Sequence, residues 1–268
     1  MTDQLSLDLD PGLPRLPVSL RPMLARPAAR PFDSAGHLFE PAWGGARALA
    51  FVEPDAEAPP ERSPGVRLLD GRGRDIAPLV PEIGGLPGRL AARSAVVDGE
   101  LVAVDRHGRC DQPALAARLG GAAGPALVYL VFDLLYLDGR PLLGLPLERR
   151  RGLLGRILRP GGPIVARPAV ETDGLALHAA VVAQGLAGTV ARDRRSPYLP
   201  GTRSRLWRFV PALGPALVPG LGPGLVPGLG GEGAPAPGEE EGDPRAADDS
   251  TTGTPILALI ERLPFPAD

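Results

Sequence analysis

The most informative chemical feature of the sequence is the type of its basic residues. All 29 basic residues among the 268 are arginine, and the chain contains no lysine. An amine that loses its proton can attack a carbonyl or phosphoryl group, whereas an arginine guanidinium stays protonated in proteins. The sequence therefore excludes Schiff bases, lysyl-AMP and lysine general bases. GC-rich codon usage, which also favours Ala, Gly and Pro, is an alternative explanation for the absence.

The remaining composition narrows the class of protein. Cys110 is the only cysteine, which excludes intramolecular disulfides and a cysteine-built zinc site. A net charge of −2 gives no general attraction to nucleic acid. No apolar run is long enough to span a bilayer, and the acidic N-terminus lacks a signal pattern. We therefore expect a cytoplasmic protein that does not bind membranes.

Short strand patterns and a few helical patterns fill residues 31–210, the predicted folded domain. The predicted strands are Ala48–Val52, Val66–Leu69, Ser94–Val97, Leu101–Val104 and Leu127–Phe132. The predicted helices are Gln112–Leu119, Leu147–Leu158 and Ala176–Gln184. Turns are predicted at Asp98-Gly99, His107-Gly108 and Asp138-Gly139. Because strands often follow one another directly, the pattern favours an α+β fold with antiparallel sheets.

Both ends of the chain differ from this central part. Residues 1–30 are rich in Pro and Arg and predict an extended N-terminal arm. Residues 211–253, rich in Gly, Pro and acidic residues, predict a disordered linker. Residues 254–268 predict one short amphipathic helix, capped by Thr254 and ended by Pro264. This helix could dock on the domain or on a partner, and docking on the domain is favoured.

Several segments, in order along the chain, resemble the nucleotidyltransferase motifs of bacterial ATP-dependent DNA ligases of the end-joining type. These segments are Phe39–Leu49 (FEPAWGGARAL), Val97–Leu101 (VDGEL), Tyr129–Gly139 (YLVFDLLYLDG), Ser196–Tyr198 (SPY) and Arg203–Trp207 (RSRLW). The resemblance implies an α+β adenylation domain with two antiparallel sheets and flanking helices around a nucleotide cleft. It also implies that a lysine becomes adenylated by ATP, and that the AMP then activates a 5′-phosphate at a DNA nick.

The sequence departs from the family at the positions that carry this reaction. Ala42 occupies the nucleophile position, and Gly44 stands where the family has an Asp. Ala187 replaces the metal-binding Glu of the fourth motif, and Arg192 replaces its Lys. His37 is the only conceivable substitute nucleophile, and a surface or hydrogen-bonding role is favoured for it.

The residues that the resemblance assigns to the adenosine pocket are Glu40, Arg47, Glu100, Phe132 and Arg192. The first four match the family's motifs, and Arg192 stands in place of a Lys. The resemblance places Glu40 near the adenine, Phe132 against its ring and Glu100 near the ribose. Each also has a structural explanation, because Phe132 would pack in a buried strand and Glu40 could form a solvated ion pair with Arg47. The structural explanation is favoured over nucleotide binding.

Three functions follow from these observations. The favoured one is a catalytically inactive ligase-like protein with at most residual nucleotide binding or a scaffolding role. The alternatives are an active ATP-dependent DNA ligase or nucleotidyltransferase with an altered site, and an interaction module that docks through its C-terminal helix.

The expected ligands and partners are few. ATP or AMP could bind non-covalently, and a divalent metal is not expected, because Ala187 stands at the ligand position. The expected partners are DNA, bound weakly, or a DNA-repair protein, and the expected state is a monomer. The family's OB-fold domain is not expected in this chain. The arginine clusters at 149–151, 192–195 and 203–208 are interpreted as ordinary surface.

Overall fold

The computed structural model describes residues 16–53, 65–105 and 110–212. The predicted C-terminal helix, the predicted linker beyond Ala212 and the predicted His107-Gly108 turn lie outside the described residues. Within these ranges, no helix has the length and hydrophobicity that crossing a bilayer requires.

The described strands form two sheets. In spatial order, the first sheet contains β1 (Leu24–Pro27), β11 (Arg203–Pro211), β10 (Gly188–Asp193), β2 (Ser34–Ala42) and β9 (Val170–Thr172). The second contains β4 (Gly65–Asp70), β3 (Ala46–Glu53), β5 (Ala95–Ala103), β6 (Leu127–Leu137) and β7 (Arg140–Pro141), with β8 (Ile164–Ala166) also paired to β6. The pairs are antiparallel except for the short parallel pairs β1–β11 and β6–β8. The predicted α+β class with two sheets is confirmed, and part of the predicted N-terminal arm forms the edge strand β1.

Three α-helices and three short 3-10 helices complete the described elements. The α-helices are α1 (Gln112–Leu119), α2 (Leu147–Ile157) and α3 (Gly174–Ala183), so all three predicted helices are confirmed. The 3-10 helices are Ala77–Leu79, Pro81–Gly85 and Pro87–Arg89. The Asp111 carboxylate accepts the Ala114 N–H at 2.8 Å and thereby fixes the start of α1.

The turn predicted at Asp98-Gly99 is wrong, whereas the turn predicted at Asp138-Gly139 is confirmed. β5 runs unbroken from Ala95 to Ala103, and every residue in it is buried. Gly99 is needed for close packing, because a Cβ there would lie 2.4 Å from the Tyr129 ring. Asp138 and Gly139 both have positive φ, at 42° and 85°, and connect β6 to β7.

The second sheet is buried on both faces, which explains the nearly continuous apolar character of β5 and β6. Along β3, Ala48 and Ala50 belong to the core on the side of the 3-10 helices, α1 and α2. Leu49 and Phe51 belong to the core shared with residues of the first sheet. Arg47 alternates with Ala48, so its side chain enters the space between the two sheets.

Candidate functional site

The five predicted pocket residues come together in the space between the two sheets. The first sheet contributes Glu40 from β2 and Arg192 from β10, and the second contributes Arg47 from β3, Glu100 from β5 and Phe132 from β6. All are buried except Arg47, whose side chain is 12% exposed. The collinear motifs therefore identified residues that share one site.

Arginine side chains surround the Phe132 ring. The guanidinium carbon of Arg192 lies 4.1 Å from the ring centroid, that of Arg47 4.5 Å and that of Arg167 5.0 Å. The Trp207 ring adds a second aromatic contact, 4.6 Å from Arg192 and 5.5 Å from Arg47. Guanidinium groups at these distances interact favourably with the electron-rich ring faces. The surroundings of Phe132, where the resemblance places adenine, thus contain three of the protein's own cations.

Glu40 balances several of these charges. It forms ion pairs with Arg151 and Arg192, and Arg167 lies 3.6 Å from its carboxylate. The expected solvated pair between Glu40 and Arg47 is wrong. Both side chains enter the interior, where each meets closer partners of opposite charge.

Arg47 binds Asp98 instead. Its Nε and Nη2 atoms donate to the two Asp98 carboxylate oxygens at 2.5 and 2.6 Å. The Tyr198 hydroxyl donates to Asp98 at 2.6 Å and accepts the Met23 N–H at 3.0 Å. Burial alone would lower the pKa of Arg47, but Asp98 and Tyr198 outweigh it and raise the pKa. Burial also raises the pKa of Tyr198 well above 10, so its phenol stays protonated and is no nucleophile at neutral pH.

Glu100 connects the turn after β2 to the arginine cluster. Its Oε1 accepts the Gly45 N–H at 2.6 Å, and its other oxygen pairs with Arg167. A Cβ at Gly45 would lie 2.2 Å from the Leu101 carbonyl oxygen, so this close approach requires glycine. Burial lowers the pKa of Arg167, and the charge of Arg47 lowers it further. The guanidinium nevertheless remains protonated at neutral pH.

A second buried pair anchors α2 to the second sheet. Arg150 Nε and Nη2 donate to the two Asp133 oxygens, both at 2.8 Å, and neither side chain is exposed. Leu147, Arg150 and Leu154 share the buried face of α2. The interpretation of the arginine runs 149–151 and 192–195 as ordinary surface is therefore wrong for Arg150 and Arg192, which are buried, and for Arg151, which points inward to Glu40. It is confirmed for Arg194, which pairs with two partly exposed glutamates.

The position assigned to the nucleophile lies among apolar groups. Ala42 is fully buried in the same apolar cluster as Phe132, and Ala187 packs against that cluster. The Ala187 N–H donates to the Ala42 carbonyl at 3.0 Å, so these two positions are neighbours. His37 lies five residues earlier on β2, roughly 16 Å along the strand, with Nδ1 2.9 Å from Ser34 Oγ. The structure does not bring His37 to the site.

The cavity left between these side chains is small. Its volume is about 10 Å³, and its lining comprises Ala25, Arg47, Glu100, Arg167, Val190, Arg192 and Trp207. One water molecule needs about this space, whereas a small-molecule pocket occupies roughly 300–1,000 Å³. In this arrangement the residues do not fit a nucleotide. Nor, within the part of the chain that the structure describes, does any group of three His, Cys, Asp or Glu side chains fit a metal ion.

Sequence reasoning missed several members of the cluster. The helical spacing of Leu147 and Leu154 could have identified two of them. Arg150 and Arg151 lie three and four residues after Leu147, which places them at the inner face of α2. The sequence pattern predicts Asp98 as a turn residue and Tyr198 only as part of a motif. Arg167 lies between β8 and β9, and no signal in the sequence indicates its burial.

Known proteins resemble the chain over this same region. Residues 22–208 match the family model described as the ATP dependent DNA ligase domain. The multifunctional non-homologous end joining protein LigD of Mycobacterium bovis is 33% identical over 190 residues, which are 70% of this chain and 23% of that protein. This chain thus spans about a quarter of the length of LigD.

Solved structures agree with this match. A mycobacterial DNA ligase D complexed with ATP and MES has 28% identity and a TM-score of 0.59, covering 72% of this chain and 60% of the other. The ligase domain of Mycobacterium tuberculosis LigD has 31% identity and a TM-score of 0.57, covering 71% and 58%. The chain belongs to the ATP-dependent DNA ligase domain family.

Proposed function

We propose that this chain is a ligase-type adenylation domain, in a DNA-repair context, that does not form the covalent adenylate. The observation that carries the proposal is the buried methyl group of Ala42 at the position of the family's nucleophile, in a chain without lysine. A methyl group has no lone pair with which to attack phosphorus. Its remaining role would be scaffolding, with nucleotide binding at most residual.

The arginine cluster gives independent support. Arg47, Arg167 and Arg192 lie around Phe132, where the resemblance places adenine, and the remaining cavity is about 10 Å³. A nucleotide would have to displace guanidinium groups from both an aromatic ring and buried carboxylates. Each such displacement costs free energy, because buried charges need their partners.

Incubation with labelled ATP and Mg²⁺ tests the first step of the ligase reaction. We expect no covalently labelled band, and the mycobacterial LigD ligase domain, treated in parallel, serves as the positive control. A labelled band that survives denaturation would overturn the proposal, because it would require a nucleophile other than lysine.

Nicked DNA that already carries a 5′-adenylate tests the last step separately. We expect no sealing, since the carboxylates of the site are occupied by arginines. Sealing would favour the alternative of a ligase or nucleotidyltransferase with an altered site.

Thermal unfolding with ATP, ADP and AMP tests whether the cleft still binds nucleotide. A ligand present at about 100 times its Kd would stabilise the domain by about 2.7 kcal/mol. This corresponds to roughly 5–11 °C for a domain of this size. We expect no concentration-dependent shift, and a saturable shift of several degrees would show residual binding. We further propose that the protein is cytoplasmic and monomeric, and that it contacts either DNA, weakly, or a DNA-repair protein.

A further inference from the structure

α3 carries an apolar face that the described residues leave uncovered. None of its ten residues is charged. Four large apolar residues are exposed in the described part of the chain, and two of them, Leu175 and Val182, lie on this helix. With them, the exposed positions Ala176, Ala179 and Ala183 form one stripe at helical spacing. We call these five residues the α3 stripe.

The opposite side of α3 is already packed. Leu177 and Val181 contact Phe39 and Val170 of the first sheet. The helix is therefore apolar on both its inner and its outer face, a pattern typical of helices that are covered on both sides. His178, the one polar side chain of α3, is half-buried with Nδ1 3.0 Å from Thr189 Oγ1 and does not belong to the stripe.

The described part of the chain ends close to this helix. The Ala212 N–H donates to the Ala187 carbonyl at 3.0 Å, four residues beyond the end of α3. Ala212 also packs against the cluster that contains Leu177 and Val181. Whatever follows Ala212 thus starts beside α3.

The last segment of the sequence has the complementary pattern. Between residues 256 and 263 the large apolar residues are Ile256, Leu257, Leu259, Ile260 and Leu263. In a helix of 100° per residue they occupy one side, and Ala258 lies directly opposite their centre. The segment therefore predicts a helix with one apolar face to cover.

We propose that residues 256–263 of this chain dock on the α3 stripe. A connection of 41 residues, the number at 213–253, has a reach of roughly 35 Å, which exceeds the roughly 15 Å length of α3. Such a tether gives an effective concentration on the order of 1 mM. At this concentration an intrinsic Kd of about 0.1 mM leaves the segment docked about nine-tenths of the time, which slows amide exchange about tenfold.

Hydrogen–deuterium exchange of the full chain tests the docking from both sides. In the wild-type protein we expect exchange in residues 256–263 to be slowed about tenfold relative to an unstructured peptide. Val182→Asp on the stripe and Leu259→Asp on the segment should each abolish the slowing. The matched controls are Leu145→Asp, an exposed apolar position outside α3, and Ala258→Asp on the outer side of the predicted helix. Both should preserve it.

Three outcomes would overturn the inference. The first is rapid exchange of the segment in the wild-type protein, and the second is protection that survives Val182→Asp. The third is protection that disappears on dilution, which would identify a second copy as the occupant. Leu259 is not among the described residues that form the fold, so Leu259→Asp is an independent test if Val182→Asp impairs folding. The α3 stripe is distinct from the arginine cluster, so either proposal can fail alone.

Discussion

The arginine cluster predicts a large loss of stability when one carboxylate is neutralised. Five guanidiniums (Arg47, Arg150, Arg151, Arg167 and Arg192) face four carboxylates (Glu40, Asp98, Glu100 and Asp133). Glu40→Gln preserves the side-chain shape and raises the excess of positive charge from one to two. Removing one partner of a buried ion pair costs about 3–5 kcal/mol, because the remaining charge stays buried without compensation.

The expected effect is easily measured. For a domain of this size, 1 kcal/mol changes the Tm by about 2–4 °C, so Glu40→Gln should lower it by roughly 6–20 °C. Thermal and urea denaturation followed by circular dichroism would measure the change. The control is Glu148→Gln, because the Glu148 side chain is 44% exposed and lies 3.5 Å from Arg194. Its loss should change the free energy of unfolding by less than about 1 kcal/mol.

A double-mutant cycle separates charge from packing. Arg192→Gln in the Glu40→Gln background returns the excess charge to one, so the two losses should fall short of additivity by about 1 kcal/mol or more. If Glu40→Gln had the same Tm as Glu148→Gln, or if the losses in the cycle were additive, the argument from buried charge would be refuted.

Two further predictions concern the backbone and the pH dependence of stability. Gly155→Ala in α2, where a Cβ meets nothing within 4 Å, should stabilise the protein by about 0.5–1 kcal/mol. Gly45→Ala should destabilise it by about 2 kcal/mol or more, because its Cβ would lie 2.2 Å from a carbonyl oxygen; equal effects in urea denaturation would contradict the packing. Burial raises the pKa of Glu82, but the Leu127 N–H and the Arg118 guanidinium outweigh it and hold the pKa below 4.5. The resulting stabilisation is present above pH 4.5 and is lost as the pH falls through the folded pKa. Glu82→Gln should flatten this acid limb of the stability profile, and an unchanged limb would refute the assignment.

Local sequence signals predicted the helices because capping residues and the helical spacing of apolar residues are visible in the sequence itself. Asp111 caps α1, and the spacing of Leu147 and Leu154 sets the buried face of α2. The same signals failed at Asp98-Gly99. Asp-Gly is a common turn dipeptide, and the neighbouring sequence does not reveal that Asp98 pairs with the distant Arg47. The Tyr129 ring, not a turn, explains the glycine.

The site was predictable only where motifs fixed its residues. The resemblance led to Glu40, Glu100 and Phe132, yet it gave no account of what surrounds them. Arg167 comes from a connection between two short strands, and its burial depends on partners far away in the sequence. Ion pairs between elements far apart in the chain leave no periodic pattern in the sequence. Only the structure therefore shows that arginine side chains fill the space between the two sheets.

The parallel pairing of β1 with β11 has a consequence for connectivity. Leu24 lies beside Arg203 at the start of β11, whereas the described chain leaves at the other end of that strand, after Pro211. The start of β1 and the end of β11 are thus separated by roughly 25 Å, the length of a nine-residue strand. A peptide that joined these two points directly would need about eight extended residues or more. Residues 16–23, which include the buried Met23, therefore lead into β1 at one end of the sheet, and the described chain leaves at the opposite end.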